Sequence, residues 1–234
     1  MTKPSVPTCL AIVGDGNRRY AKTRGKETTW GHVQGFGRNL LRIERAAFAY
    51  GVRHVVFYLA SEKNFGRDDE EVANFCEIVK RHLRHRFSLH DGTRVHVCGV
   101  WERFWEDPEI RKLSTRIEDR TRAFSKKHVT LCLAYDGRTE IIEAVKACAR
   151  ESNCGEGLTG TSFEKYLWTS HIPDVDFLIR TGCDGDPHNS GSFLMWKTPD
   201  TQLYFTEKPW PAFTPADLKE ALVDYSRRHR RLGK

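Results

Sequence analysis

Cys9-Leu10-Ala11-Ile12-Val13, followed at once by Gly14-Asp15-Gly16-Asn17-Arg18-Arg19, is the stretch on which the fold turns. The apolar run reads as a buried strand, and the change to glycine and charge ends it before any helix begins. Ligands of open α/β sheets bind at such carboxyl ends of strands. Two glycines let the backbone approach a ligand, N–H groups in the turn can cradle an anion, and two arginines add permanent charge on forked donors. Asp15 has two readings in this positive setting. It can bond the loop backbone as an Asx-type turn, or it can bridge to a divalent cation that the bound anion shares.

Outward from this strand, β-branched apolar runs alternate with segments of helical period, the pattern of a mainly parallel α/β sheet covered by helices. Strands are predicted at Cys9 to Val13, Val52 to Leu59, Arg94 to Cys98, Val129 to Ala134 and Val175 to Ile179, with short ones at Phe193 to Trp196 and Leu203 to Phe205. Helices are predicted from His32 to Tyr50, Asp69 to Phe87, Pro108 to Ser125, Thr139 to Glu151 and Pro215 to Arg230. Start signals support several of them: Asp68-Asp69-Glu70-Glu71 precedes Val72, and Thr214-Pro215-Ala216-Asp217 precedes Leu218. The Gly-rich stretch from Glu151 to Gly160 is short enough for a surface loop, so one domain over residues 1–234 is expected.

With 39% hydrophobic and 29% charged residues, the 234-residue chain can bury one sizeable core. No run approaches the ~18 apolar residues of a membrane span, and Met1 to Pro7 lacks the apolar core of a signal peptide; a cytoplasmic protein is expected, with at most peripheral membrane contact. The seven cysteines are scattered without a C-x-x-C pair, which suggests neither a disulfide framework nor a zinc site. A net charge of +7 favours anionic partners. The basic clusters Lys80 to Arg86 and Arg227 to Arg231 end predicted helices, where they read as dipole compensation on a solvated face. They carry no interleaved aromatic residues, so nucleic acid is not an expected partner.

The opening loop continues as Tyr20-Ala21-Lys22, then Gly25, Gly31-His32 and Gly35, and this series resembles the first signature of the cis-prenyltransferases, the undecaprenyl diphosphate synthase-like family. Tyr58, Ser61, Asn64, Arg67 and Glu71-Val72 resemble the second signature. Tyr135-Asp136-Gly137-Arg138 with Glu140-Ile141 resembles the third. Asp174, Asp176, Ile179-Arg180-Thr181-Gly182, Phe193-Leu194, Trp196, Leu203 to Thr206, Trp210-Pro211, Phe213 and the ending Arg230-Arg231-Leu232-Gly233 follow in the family's order.

The resemblance implies a prenyltransferase that ionises an allylic prenyl diphosphate with Mg2+, on a domain that pairs into homodimers. Asp15 would hold the metal. Gly16, Asn17, Arg18, Arg19, His32 and Arg67 would grip the donor diphosphate, and Asp15, Asn17, His32, Ser61 and Asn64 would carry the catalysis. Arg180, His188, Ser190, Arg231 and Gly233 would serve the second substrate. A prenyl tail also requires an apolar tunnel; Phe36, Phe48, Phe57, Leu59 and Phe75 are candidates for its lining, each of which can equally be plain core.

Four departures from the family pattern fall on this machinery. Gln202 stands where a glutamate normally completes the metal site, and an amide is a far weaker Mg2+ ligand. The loop from Cys183 to Ser192 is longer than usual and has no arginine; Asp184 and Asp186 add negative charge, while His188 or Ser190 can recover part of the lost function. Thr28 replaces a usual basic residue. Leu59 replaces a small residue after the tyrosine of the second signature, which narrows the tunnel. A short-chain or atypical prenyl product follows, with a second allylic diphosphate or another nucleophile as acceptor. The alternatives are ordinary isopentenyl diphosphate elongation and a non-catalytic partner subunit.

Overall fold

The computed structural model describes residues 5–66, 69–86, 91–105, 107–151 and 156–228. Six strands, β1 (Cys9–Gly14), β2 (His54–Tyr58), β3 (Thr93–Cys98), β4 (Lys127–Cys132), β5 (Phe177–Thr181) and β6 (Gln202–Thr206), form one sheet in the order β3-β4-β2-β1-β5-β6. Every pairing is parallel. All carboxyl ends therefore lie along one edge, and β1 sits between β2 and β5 with Val13 opposite Tyr58 and Arg180.

Helices α1 (Asn17–Lys22), α2 (Thr28–His32), α3 (Leu40–Tyr50), α4 (Asp69–Arg86), α5 (Pro108–Arg120), α6 (Gly137–Cys148), α7 (Gly160–Glu164) and α8 (Pro215–Arg227) cover the sheet. Alternation along the strands divides the interior. Leu10, Ile12, Val55, Phe57 and Leu59 face a large core shared with α3, α4, α5 and α8. Ala11, Val13, Val56, Tyr58 and Leu178 face a smaller one, closed by Ile172, Phe193 and Leu194. The caps work as the sequence indicates: the Thr214 hydroxyl accepts from the Asp217 N–H while the Asp217 carboxylate accepts from Thr214, a reciprocal box at the start of α8.

Five expectations change. The Phe193 to Trp196 run is not a strand but two short 3-10 turns, Ser190–Ser192 and Met195–Lys197, around a left-handed Leu194 (φ 54°). Its apolar side chains plug the smaller core from a loop instead of joining the sheet. Helix α1 begins inside the charged loop, at Asn17. The predicted helix from His32 is the end of α2, a π-helical segment Val33–Asn39 and α3 in succession. The basic end of α4 is not simply a solvated face: Arg86 pairs with Glu44 and its Nε donates to His82 Nε2 (2.9 Å), all three buried, while Lys80 binds Asp107 (2.9 Å). Cys148, moreover, is disulfide-bonded, whereas Cys9, Cys76, Cys98, Cys132 and Cys183 are free and buried.

Candidate active site

Gly16 decides how the sequence turns from β1 into α1. It takes φ 89°, and a Cβ there would press on Pro209 at 2.8 Å, so glycine meets both the dihedral and the space requirement. Asn17, Arg18 and Arg19 follow as the first turn of α1. The turn is braced from behind. The Trp210 N–H donates to the Asp15 carbonyl (2.8 Å), the Trp210 indole donates to the Gly35 carbonyl (3.0 Å), and the Thr181 hydroxyl donates to the Asp15 carbonyl (3.2 Å). The carboxyl ends of β1 and β5 are thereby locked together beside the π-helical segment.

Above them opens a cavity of about 580 Å³. One end is polar: Asp15, Gly16, Asn17, Arg18 and Arg19 line it together with His32, Ser61, Lys63 and Asn64. The opposite wall is apolar, made by Phe36, Leu59, Phe65, Val72 and Phe75. Phe36 and Phe75 meet edge to face (5.5 Å), and the His32 ring lies 6.1 Å and 6.3 Å from them, at the boundary between the two ends. Asp136, His188, Ser190 and Gly191 close a third side.

The Asp15 carboxylate is the hub of the polar end and is 46% exposed. Oδ1 accepts from the Gly16 N–H and lies 3.8 Å from Arg19; Oδ2 accepts from Arg180 Nη2 (3.2 Å). Arg19 also donates to the Gly182 carbonyl and pairs with Asp184 (2.8 Å), so an aspartate of the lengthened loop partly neutralises this arginine. The Asn17 amide donates to the Gly14 carbonyl (2.9 Å), and its buried oxygen has no protein partner. Asn64 accepts from the Ser61 N–H (2.8 Å), fixing the turn after β2. Burial pushes the Tyr58 phenol above its ordinary range, with the nearby Asp136 carboxylate acting in the same direction, and its hydroxyl donates to the Tyr135 carbonyl (3.1 Å).

Most of the residues expected from sequence thus share one cavity, but some do not. Phe48 lies off the stripe Phe36, Leu40, Ile43, Ala47 that faces the core, and packs at its margin with Lys127 5.8 Å from its ring. Phe57 packs on Trp210 (6.1 Å). Arg180 is 5% exposed and does not line the cavity, because strand alternation puts it on the face of Leu178, behind Asp15 and the loop. Gln202 opens β6 opposite Phe177, about 13 Å along the strand from the carboxyl end. It accepts from Arg228 Nη1 (3.4 Å), so within one chain it is no neighbour of Asp15. Arg67, Arg231 and Gly233 lie outside the described residues. Lys63 and Phe65 were not anticipated; both sit in the 3-10 turn Glu62–Gly66, whose proximity to Ser61 and Asn64 is the one signal that could have found them.

A parallel sheet whose carboxyl edge carries a cationic head around Asp15, with Glu71 paired to Arg18 (4.0 Å), beside an aromatic wall defines an enzyme for amphiphilic anionic substrates. The chain belongs to the cis-prenyltransferase family and is a prenyl transferase of that type: residues 13–233 match the family model described as putative undecaprenyl diphosphate synthase. An isoprenyl transferase of Treponema denticola is 32% identical over 96% of both chains. The (2Z,6E)-farnesyl diphosphate synthase of Mycolicibacterium smegmatis is 32% identical over the whole of this chain and 90% of its own. Among solved structures, lavandulyl diphosphate synthase from Lavandula x intermedia in complex with dimethylallyl diphosphate superposes with a TM-score of 0.90 at 28% identity, over 98% of this chain and 99% of that one.

Proposed function

We propose that the protein, as one domain over residues 1–234, ionises a short allylic prenyl diphosphate and transfers the prenyl group to an acceptor, giving a short-chain or atypical product. The observation that carries this reading is the cavity itself, whose Asp15 to Arg19 head shares it with Leu59, Phe36 and Phe75. The donor diphosphate would lie against Gly16, Asn17, Arg18, Arg19 and His32, with Arg67 as a further ligand. Its C1 would face Ser61 and Asn64. Fixed cations at the leaving group stabilise the charge that develops as the C–O bond breaks, more in the transition state than in the bound donor. Leu59 leaves room for few isoprene units. Among the relatives, one is named as a farnesyl diphosphate synthase and others as undecaprenyl and dehydrodolichyl diphosphate synthases, so the short-chain reading rests on Leu59 and the cavity.

A divalent cation fits this arrangement. Among the described residues no group of three or more acidic, histidine or cysteine side chains could hold a metal unaided. The half-exposed Asp15 carboxylate suits Mg2+ taken up together with phosphate oxygens, since that ion needs only one or two protein carboxylates. The chemistry supplied there is charge neutralisation on the leaving diphosphate.

A homodimer working in the cytoplasm accords with this reading, and no helix among the described residues is long and apolar enough to cross a membrane. Incubation with Mg2+, dimethylallyl, geranyl or farnesyl diphosphate and labelled isopentenyl diphosphate, followed by product sizing, tests it. Products of two or three isoprene units are expected. Long polyprenyl products would refute the short-chain reading and return the enzyme to ordinary elongation.

A further inference from the structure

At the third side of the cavity, the loop from Cys183 to Ser192 has exchanged one chemistry for another. The arginine expected to hold a second anion is engaged by the protein itself. Arg180 Nη1 donates to the His188 carbonyl (2.7 Å) and to Ser190 Oγ (2.7 Å), and Nη2 donates to Asp15 (3.2 Å). Both Nη1 hydrogens are used, the buried Nε has no protein partner, and the group is 5% exposed and does not line the cavity. His188 itself lines the cavity, beside Asp136, Ser190 and Gly191.

This imidazole is oriented. Its Nδ1 lies 3.1 Å from the Asp186 carbonyl and 3.0 Å from Asp186 Oδ2. Both atoms only accept, so Nδ1 carries the hydrogen and Nε2 keeps its lone pair. A carboxylate behind one ring nitrogen fixes the tautomer and stabilises the imidazolium formed when the other nitrogen takes a proton. Arg180 holds the His188 backbone carbonyl, which fixes the backbone from which the ring projects. The charged residue in contact with the ring is Asp186, Arg180 binds the His188 backbone carbonyl, and the other charged residues that line the cavity are Asp15, Arg18, Arg19, Lys63, Glu71 and Asp136.

We propose that His188 is the catalytic base that removes the acceptor's proton, with Asp186 as its positioning residue; this rests on the prenyl-transfer reading above. The C1–O bond of the donor breaks, and its electron pair leaves with the diphosphate. An electron pair of the acceptor forms the new bond to C1. The proton then lost from the acceptor goes to Nε2, and the electrons of the broken bond remain in the product as a double bond or a neutral heteroatom.

The test compares wild type with His188→Ala, His188→Gln and Asp186→Asn. Transfer to isopentenyl diphosphate and binding of an unreactive allylic thiolodiphosphate, both with Mg2+, are measured on each. Loss of the base should lower kcat by about 100-fold or more in both His188 variants, with the analogue's Kd within about twofold of wild type, the expectation for a group that does not touch the donor diphosphate. Added imidazole should restore part of the His188→Ala activity. Asp186→Asn should reduce kcat less than either His188 variant and leave KM for isopentenyl diphosphate within about twofold of wild type, the split expected of a residue that only positions the base. Wild-type kcat in His188→Ala, or an equal loss of analogue binding and transfer, overturns the assignment while leaving the donor reading intact. Failure of the wild-type protein to bind the analogue would instead sink the donor reading and this inference with it.

Discussion

Acidification from pH 7 to pH 5 should destabilise the protein through a row of histidines on the sheet. His54 on β2 stacks on His128 of β4 (4.5 Å), His128 lies 5.8 Å from His96 of β3, and His96 stacks on His171 (3.7 Å). Burial, followed by the neighbouring imidazole and arginine charges, lowers His54 to about 4, His96 to about 3 and His171 to about 4, from an ordinary 6.5. All three are therefore neutral when folded but take a proton when unfolded. Their contribution is complete above pH 6.5 and is lost as the pH falls below it towards the folded values.

At pH 5 each such group costs about 2 kcal/mol, or about 6 kcal/mol for three, and partial solvent access roughly halves the sum to about 3 kcal/mol. For a chain of this size that corresponds to a fall in Tm of about 6 to 12 °C. Buried His82, held neutral by desolvation and then by Arg86, acts in the same direction. Glu118 and Glu140, raised by burial, act in the opposite one, because the folded protein binds their protons first. Urea unfolding at pH 7 and pH 5 on wild type and His96→Gln separates these effects. The variant should lose about 1 kcal/mol less than wild type on acidification; an identical pH dependence in both would refute the reasoning.

Three other perturbations have defined outcomes. Leu59→Ala should lengthen the main product by at least one isoprene unit and cost about 2 kcal/mol in stability, the low end for a leucine that already borders a cavity; unchanged products on sizing would separate Leu59 from chain-length control. Gly35→Ala puts a Cβ onto the Asn17 side-chain oxygen and within 2.8 Å of Trp210, and should weaken binding of an allylic thiolodiphosphate at least tenfold by calorimetry while lowering Tm. Arg86→Met leaves Glu44 buried without its cation and should cost about 3 to 5 kcal/mol in denaturant unfolding, most of it recovered in the double variant with Glu44→Leu.

The sheet was legible because its strands are short apolar runs bounded by glycine and charge, and β1 in particular is too apolar and too short for an exposed helix. The Asp15 to Arg19 part of the polar head was legible for a related reason: it is contiguous in sequence, so its residues stay together whatever the rest of the chain does. What could not be read was direction. Phe193 and Leu194 have the composition of a strand, but they are buried in the smaller core from a loop, a placement that composition does not distinguish from a strand. Arg180 and Gln202 sit on strands, where a change of one residue reverses the face and a change of four moves the side chain across the sheet. The start of α1 at Asn17 escaped notice because Gly16 provides a left-handed turn and no side-chain cap. The Asp186 to His188 contact depends on a loop conformation, and no periodicity announces it.

The central claim is that Asp15 works at the leaving group of an allylic donor. Steady-state turnover of dimethylallyl or geranyl diphosphate with Mg2+, compared between wild type and Asp15→Ala of equal thermal stability, tests it most directly. The expected result is a fall in kcat of about 100-fold or more, the size expected when electrostatic stabilisation of a leaving group is removed. Equal turnover in the two proteins would contradict the claim and favour a partner subunit whose donor site is carried by another chain.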